Sequence, residues 1–405
     1  MPLNWLNVAQ TTLAIVSAIA VIYHIHQELG IDINNVVPRS NNKKKIIPSS
    51  PKACPPLSQG VELLIGNTPL IEIKSLSRAT GCKIYAKLEL INPGGSAKDR
   101  VALAIIRHYE QNGVIKPHRD DVLVEGTSGS TGISLALLAN AMGYKCHICL
   151  PNDTSKEKLD SLTALGCVLH PVDPASIVDP NQYTNAARRQ AESINNDPSN
   201  PATAVFANQF ETELNWKVHY ESTGPEIYKQ TNGGIDYFIA GLGTGGTIAG
   251  VLKYLKGKNP HVKVILADPQ GSGLANRVNY GVMYDTVERE GTRRRHQVDT
   301  LVEGVGLNRL THNFTVAEPF IDMAYKVTDE EAIRMAKYLC VHDGLFWGSS
   351  SAINCVAAIK MIQEQGLVGR KVVLIACDLG ARHLSKFWKE ASKISSDITL
   401  DQVFS

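Results

Sequence analysis

From Val61 onward, short apolar runs of strand length alternate with longer stretches in which apolar residues return every three or four positions. The strand-like runs are Lys83–Leu88, Val122–Glu125, His147–Leu150, Tyr237–Ala240, Val262–Ala267 and Val372–Ala376. The helical patterns between them include Asp99–Glu110, Gly132–Ala141, Thr184–Ile194, Thr247–Lys256 and Asp329–Val341. Strands alternating with helices predict an α/β fold, a mostly parallel twisted sheet flanked by helices on both faces. Glycine-rich turns sit where strands end and helices begin, and in such folds ligands bind at those carboxyl ends. No internal repeat is present.

The N-terminal region follows a different pattern. Val8 to Tyr23 is almost free of charge, and extension to Trp5 and His24 approaches the roughly 20 apolar residues that span a bilayer core. Met1 to Asn7 lacks the Lys or Arg that begins a secretory signal, and the segment lacks the Arg of a mitochondrial transit peptide. Residues 1–30 are therefore read as an uncleaved transmembrane anchor. Lys43-Lys44-Lys45 lies downstream, which keeps the rest of the chain on the cytosolic side. Residues 31–60, rich in Asn, Ser, Pro and Lys, read as a flexible linker. Cys54-Pro55 within it is weak support for a haem ligand.

Composition narrows the choice. The 405 residues carry a net charge of +2, so bulk electrostatics do not suggest nucleic acid as a partner. Arg293-Arg294-Arg295 reads as a solvated loop. The eight cysteines are spread along the chain without a disulfide framework. Cys146 and Cys149 form one C-x-x-C on a predicted strand, where residues three apart face opposite ways, so buried free thiols are expected and no metal site.

Three glycine-rich turns carry the candidate chemistry. Asn92-Pro93-Gly94-Gly95-Ser96-Ala97-Lys98-Asp99-Arg100 follows a strand and opens a helix, with Ser96 as the expected N-cap. Lys98 faces the positive end of the helix dipole, which disfavours its charged form and suits it to act as a nucleophile. Glu125-Gly126-Thr127-Ser128-Gly129-Ser130-Thr131-Gly132 offers hydroxyls and amides at a helix start, a place for a carboxylate. Gly241-Leu242-Gly243-Thr244-Gly245-Gly246-Thr247 can cradle a phosphate. It also satisfies G-x-G-x-x-G, with Asp268 at the end of the next strand, so a nicotinamide oxidoreductase is carried as an alternative. Taken together, a phosphate cradle, a carboxylate cradle and a helix-start lysine suit an aldehyde cofactor with an amino-acid substrate.

These residues resemble the cysteine synthase and cystathionine β-synthase family, the fold-type-II pyridoxal-phosphate enzymes. The resemblance runs from Gly66-Asn67-Thr68-Pro69-Leu70 to the stretch Asp378–Ser385. It implies a two-lobed catalytic unit over residues 61–400, with a smaller mobile lobe near 97–212 and a larger one from 61–96 plus 213–400. It implies that Lys98 carries pyridoxal 5'-phosphate and takes the substrate's α-proton, and that Gly243, Thr244, Gly245, Gly246 and Thr247 hold the phosphate. Thr127, Ser128, Gly129, Thr131 and Gln209 would bind the substrate, chiefly its carboxylate. Ser350, in Gly348-Ser349-Ser350-Ser351, would face the pyridine nitrogen; a neutral hydroxyl there makes a weaker electron sink and favours β-elimination over transamination. Ser130 departs from the family, most of whose members have an asparagine against the cofactor's ring hydroxyl.

The implied reaction is β-replacement, O-acetylserine plus sulfide giving cysteine plus acetate, by a homodimer. The short chain after Ser385 leaves no room for a C-terminal regulatory module, which favours the plain cysteine synthase branch. The whole chain is similar to the fungal version held in the mitochondrial outer membrane, and this similarity implies a single-pass protein with its catalytic unit facing the cytosol. Alternatives on the same scaffold are serine or threonine dehydration, cysteine desulfhydration and cystathionine synthesis. A non-catalytic membrane-tethered homologue is kept open by Ser130.

Overall fold

The longest apolar runs become strands buried on both faces, as expected of parallel sheets. The structure is a computed structural model that describes residues 58–285 and 300–405. The anchor at 1–30, most of the linker, Lys43–Lys45, Cys54 and Arg293–Arg295 lie outside the described residues. Among the described residues no helix is long and apolar enough to cross a membrane.

In chain order the strands are β1 (Leu70–Glu72), β2 (Lys83–Leu88), β3 (Val122–Gly126), β4 (Lys145–Pro151), β5 (Val168–Val172), β6 (Ala204–Phe206), β7 (Tyr237–Gly241), β8 (Lys263–Pro269), β9 (Met323–Val327) and β10 (Lys371–Ala376). The helices that shape the site are α1 (Lys98–Gln111), α2 (Ser130–Met142), α3 (Lys156–Ala164), α4 (Tyr183–Asn195), α5 (Glu213–Val218), α6 (Gly246–Lys258), α7 (Asp329–Asp343) and α8 (Ser349–Glu364). A six-stranded sheet has the order β1-β2-β10-β7-β8-β9, and a four-stranded sheet has the order β5-β4-β3-β6. All neighbours are parallel except β1, which pairs antiparallel with β2.

Side-chain alternation explains the layers. Val372, Leu374 and Ala376 of β10 pack with Ile239 against α7 and α8, while Val373 and Ile375 pack with Phe238 and Ala240 against α6. The smaller sheet repeats this: Leu123, Cys146 and Ile148 face α1 and α2, whereas Val122, Val124 and Cys149 face α4. Cys146 and Cys149 are thus buried free thiols on opposite faces of one strand.

Two local expectations need correction. Ser96 is not the N-cap of α1; Ala97 is, with no side-chain cap. The helix starts one residue too late for that, and Ser96 Oγ instead accepts from the Lys98 amide at 3.3 Å. Helix α2 begins at Ser130 rather than Gly132, which puts Ser130 and Thr131 in its first turn.

Phe238 is fully buried in the larger core. Phe238→Ala is expected to cost about 3–5 kcal/mol, read as a lower urea midpoint with an unchanged slope.

Candidate active site

The lysine turn is held from below and from within. Arg100, two residues past Lys98, is buried and grips Glu89 through Nε and Nη2 (both 2.8 Å) and Glu226 through Nη1 (2.7 Å). Lys87, also fully buried, meets Glu226 at 2.5 Å and the Thr68 carbonyl at 2.6 Å. Two cations against two carboxylates leave this cluster neutral, which makes its burial tolerable. Asp99 closes the turn by accepting from the Gly94 amide and the Ser134 hydroxyl, each at 2.5 Å. Gly95, at φ +76°, leaves room for the Arg382 guanidinium, which also donates to the Gly94 carbonyl. Burial pushes the Lys98 amine below its ordinary pKa, while Cys377, Asp378 and Glu89 hold back part of that shift. Burial is thus the leading cause of the shift, and Lys98 stands at the first residue of α1.

The second turn is tied to the Gln209 segment by Glu125, at the end of β3. Its Oε1 accepts from the Gly126 amide at 2.8 Å and its Oε2 from the Gln209 amide at 3.1 Å. Burial raises its pKa to about 8, opposed by the amides of Gln209, Gly126 and Asn208. Thr131 donates its hydroxyl to Gln209 Oε1, and Thr127 Oγ1 accepts from the Gly129 amide at 3.1 Å. Ser130 Oγ accepts from Arg382 Nη1 at 3.0 Å, so the Ser130 proton is free to point elsewhere.

The third turn leaves β7 and enters α6. Gly243 lies against the Gly304 carbonyl with no room for a Cβ. Gly245 adopts φ +96°, and a Cβ there would sit 2.8 Å from the Phe314 amide. Helix α6 starts here without a side-chain cap, so its first amides are available to an anion.

The three turns meet at one cavity of about 320 Å³. Lys98, Thr127, Ser128, Gly129, Ser130, Thr131, Gln209, Gly243, Thr244, Gly245, Thr247 and Ser350 all line it. Gly246 does not; it faces the side chain of Asn215 behind the turn. Ser350 lies in the first turn of α8, with Gly348 as the cap, and lines the cavity together with Cys377.

The cavity also has walls that sequence reading missed: Thr300–Leu307, Lys158, Tyr183, Phe210, Cys377, Asp378 and Lys386. The glycine pair Gly304 and Gly306 was the available signal. Glu303 pairs with Lys158 at 2.9 Å and with His383 Nδ1 at 3.0 Å, and His383 Nε2 meets Asp378 at 3.0 Å. Asp268, the acid required by a dinucleotide site, is buried away from the cavity, where it accepts from the Ala275 amide and pairs with Lys326 at 2.7 Å.

A sequence profile described as "Pyridoxal-phosphate dependent enzyme" matches residues 61–378. The chain belongs to this family. It is 62% identical over 347 residues to the "Putative mitochondrial cysteine synthase" of Saccharomyces cerevisiae, covering 85% of this chain and 88% of that one. It is 58% identical over 331 residues to "Cysteine synthase 2" of Schizosaccharomyces pombe, covering 82% and 84%. Among solved structures, a hydrogen sulfide-producing enzyme of Fusobacterium nucleatum superposes with a TM-score of 0.68 at 30% identity, covering 81% of this chain and 99% of that one. An O-acetylserine-dependent cystathionine β-synthase of Helicobacter pylori gives 0.66 at 30% identity, covering 82% and 98%. The family's cofactor fits the residues present, with a desolvated amine on one wall and, on another, a turn whose glycines leave its amides bare at a helix N-terminus.

The His383 network makes a pH prediction. Burial alone would lower the His383 pKa, but Asp378 and Glu303 outweigh it and push it up to about 9. The resulting stability is fully present below the unfolded value near pH 6.5 and is lost as pH rises through 9. The gap in urea midpoint between wild type and His383→Gln should correspond to on the order of 3 kcal/mol at about pH 6 and narrow toward about pH 10. A gap that stays constant would exclude a charged His383.

Proposed function

We propose that the protein is a pyridoxal-phosphate-dependent cysteine synthase that replaces the acetate of O-acetylserine with sulfide. The observation that carries this is the 51–62% identity to four fungal relatives, all bearing that name, over 82–85% of the chain. When bound, pyridoxal phosphate withdraws electrons from the α-carbon of an amino acid joined to it, which labilises the α-proton and the β-substituent.

The residues then have defined tasks. Lys98 would hold the cofactor through its amine and would serve as the base for the proton at the substrate's α-carbon. Gly243, Thr244, Gly245 and Thr247 would bind the phosphate. Thr127, Ser128, Gly129, Thr131 and Gln209 would hold the substrate, and Ser350 would offer the pyridine nitrogen a neutral hydroxyl that does not force its protonation. Ser130, shorter than the usual asparagine, would offer its free proton to the ring hydroxyl while Arg382 holds its oxygen. Closure of the lobe near 97–212 over the substrate would exclude water from the site.

The proposal extends to assembly. Residues 1–30 anchor a homodimer in the mitochondrial outer membrane, with the catalytic units in the cytosol. The apolar run Val8–Tyr23 and the mitochondrial name of the yeast relative support this. The Helicobacter pylori neighbour's name favours a second reading in which a thiol amino acid, rather than sulfide, is the acceptor.

Purified protein given O-acetylserine and sulfide should release cysteine and acetate. O-acetylserine with homocysteine tests the second reading, serine with homocysteine tests the serine-dependent form of it, and pyruvate and ammonia as the only products would defeat both. Lys98→Ala should abolish the visible band of the bound cofactor and lower turnover about 100- to 10,000-fold or more. Gln209→Ala should raise KM for O-acetylserine about tenfold, as the loss of one hydrogen bond to a charged group implies, with kcat changing less.

A further inference from the structure

Behind the third turn lies a layer of buried polar side chains that the mechanism above leaves without a task. Asn215, on α5, is 1% exposed, and His219, in the π-helical turn that follows, is fully buried. The contact with α6 is close: Asn215 takes the space of a Cβ at Gly246, and at Gly250 a Cβ would meet His219 Cβ at 2.6 Å. A π-helical turn inside a helical segment often marks a functional site.

The hydrogen bonds have a direction. Asn215 Nδ2 lies 2.7 Å from the Gln209 carbonyl and 2.8 Å from Thr244 Oγ1. A carbonyl can only accept, so the amide orientation is fixed and Thr244 receives a proton from Asn215. The single proton of the Thr244 hydroxyl is then free for the cavity.

His219 sits between two threonines. Its Nε2 is 3.2 Å from Thr247 Oγ1 and its Nδ1 is 2.9 Å from Thr223 Oγ1. Burial pushes its pKa down to about 3, with Glu89 opposing and Arg100 and Lys98 adding to the drop. The ring is therefore neutral and has one N–H. If Nδ1 carried it, Thr247 would have to donate to Nε2 and would present only lone pairs to an anion. If Nε2 carries it, Thr223 donates to Nδ1 and the Thr247 proton faces the cavity, as it does for Thr244.

We propose that Asn215 and His219 are positioning residues that donate to Thr244 and Thr247, lock both hydroxyls as donors, and so make this turn select a phosphate-bearing cofactor over its phosphate-free form. This rests on the reading of Gly243–Thr247 as the phosphate cradle. Two hydroxyls that cannot turn their lone pairs inward favour a dianion and give a neutral hydroxymethyl group no comparable advantage.

The test measures dissociation constants of pyridoxal phosphate and of pyridoxal for the full-length protein after removal of cofactor by dialysis. Wild type should prefer the phosphorylated form. Asn215→Leu and His219→Leu should each cut that preference about tenfold or more, with pyridoxal affinity changed less than about threefold. His219→Gln, whose amide can donate to Thr247, should recover most of it. A wild type with no preference would overturn the cradle reading. A wild-type preference that survives both leucine variants would overturn the positioning roles alone. Should the leucine variants fail to fold, nitrogen-15 NMR of the wild-type histidine rings decides: a buried neutral ring protonated at Nε2 is expected, and protonation at Nδ1 contradicts the proposal.

Discussion

The site depends on the cost of burying an amine. A lysine ammonium withdrawn from water loses hydration that nearby carboxylates only partly restore, so its neutral, nucleophilic form gains. Lys98 can be kept in that position only if the turn carrying it cannot relax toward solvent. Arg100 supplies the restraint, because a guanidinium held by Glu89 and Glu226 pins the first turn of α1 to the turn after β2 and to the helix Gly224–Gln230. Lys87 completes the charge balance, and Asp99 shapes the loop above.

The remaining features surround that amine with groups of the right sign. The lysine turn follows β2, the hydroxyl-rich turn follows β3 and the glycine turn follows β7, so carboxyl ends from both sheets converge. Glu125 joins the hydroxyl-rich turn to the Gln209 segment, and Arg382 joins it to the lysine turn. The three turns are consequently fixed relative to one another by a few buried side chains rather than by the loops themselves.

The six strands with long apolar runs, and the helices that carry an apolar stripe, were legible because each signal is local. The missed elements lack such a signal. β1 and β6 are three residues each, and β5 contains His170 and Pro171. Helix α8 is buried along nearly its whole length, so no polar face reveals its period. The same division holds in the site. Lys98 and the three turns are continuous stretches of sequence, whereas Glu303 and Lys158 meet across 145 positions, and Asn215 reaches Thr244 across 29. Their partners are set by how α3, α5 and α6 pack. Asp268 shows the converse: its spacing from Gly241 suits a nucleotide site, yet in the fold it secures the chain near Ala275 and pairs with Lys326.

The central claim is that a single amine, that of Lys98, bonds the cofactor's aldehyde. Borohydride reduction of the holoprotein followed by proteolysis and peptide mapping tests it directly. The account predicts a stable pyridoxyl label on the peptide containing Lys98 and on no other. A label on a different lysine, or none in protein that retains the cofactor, would contradict it.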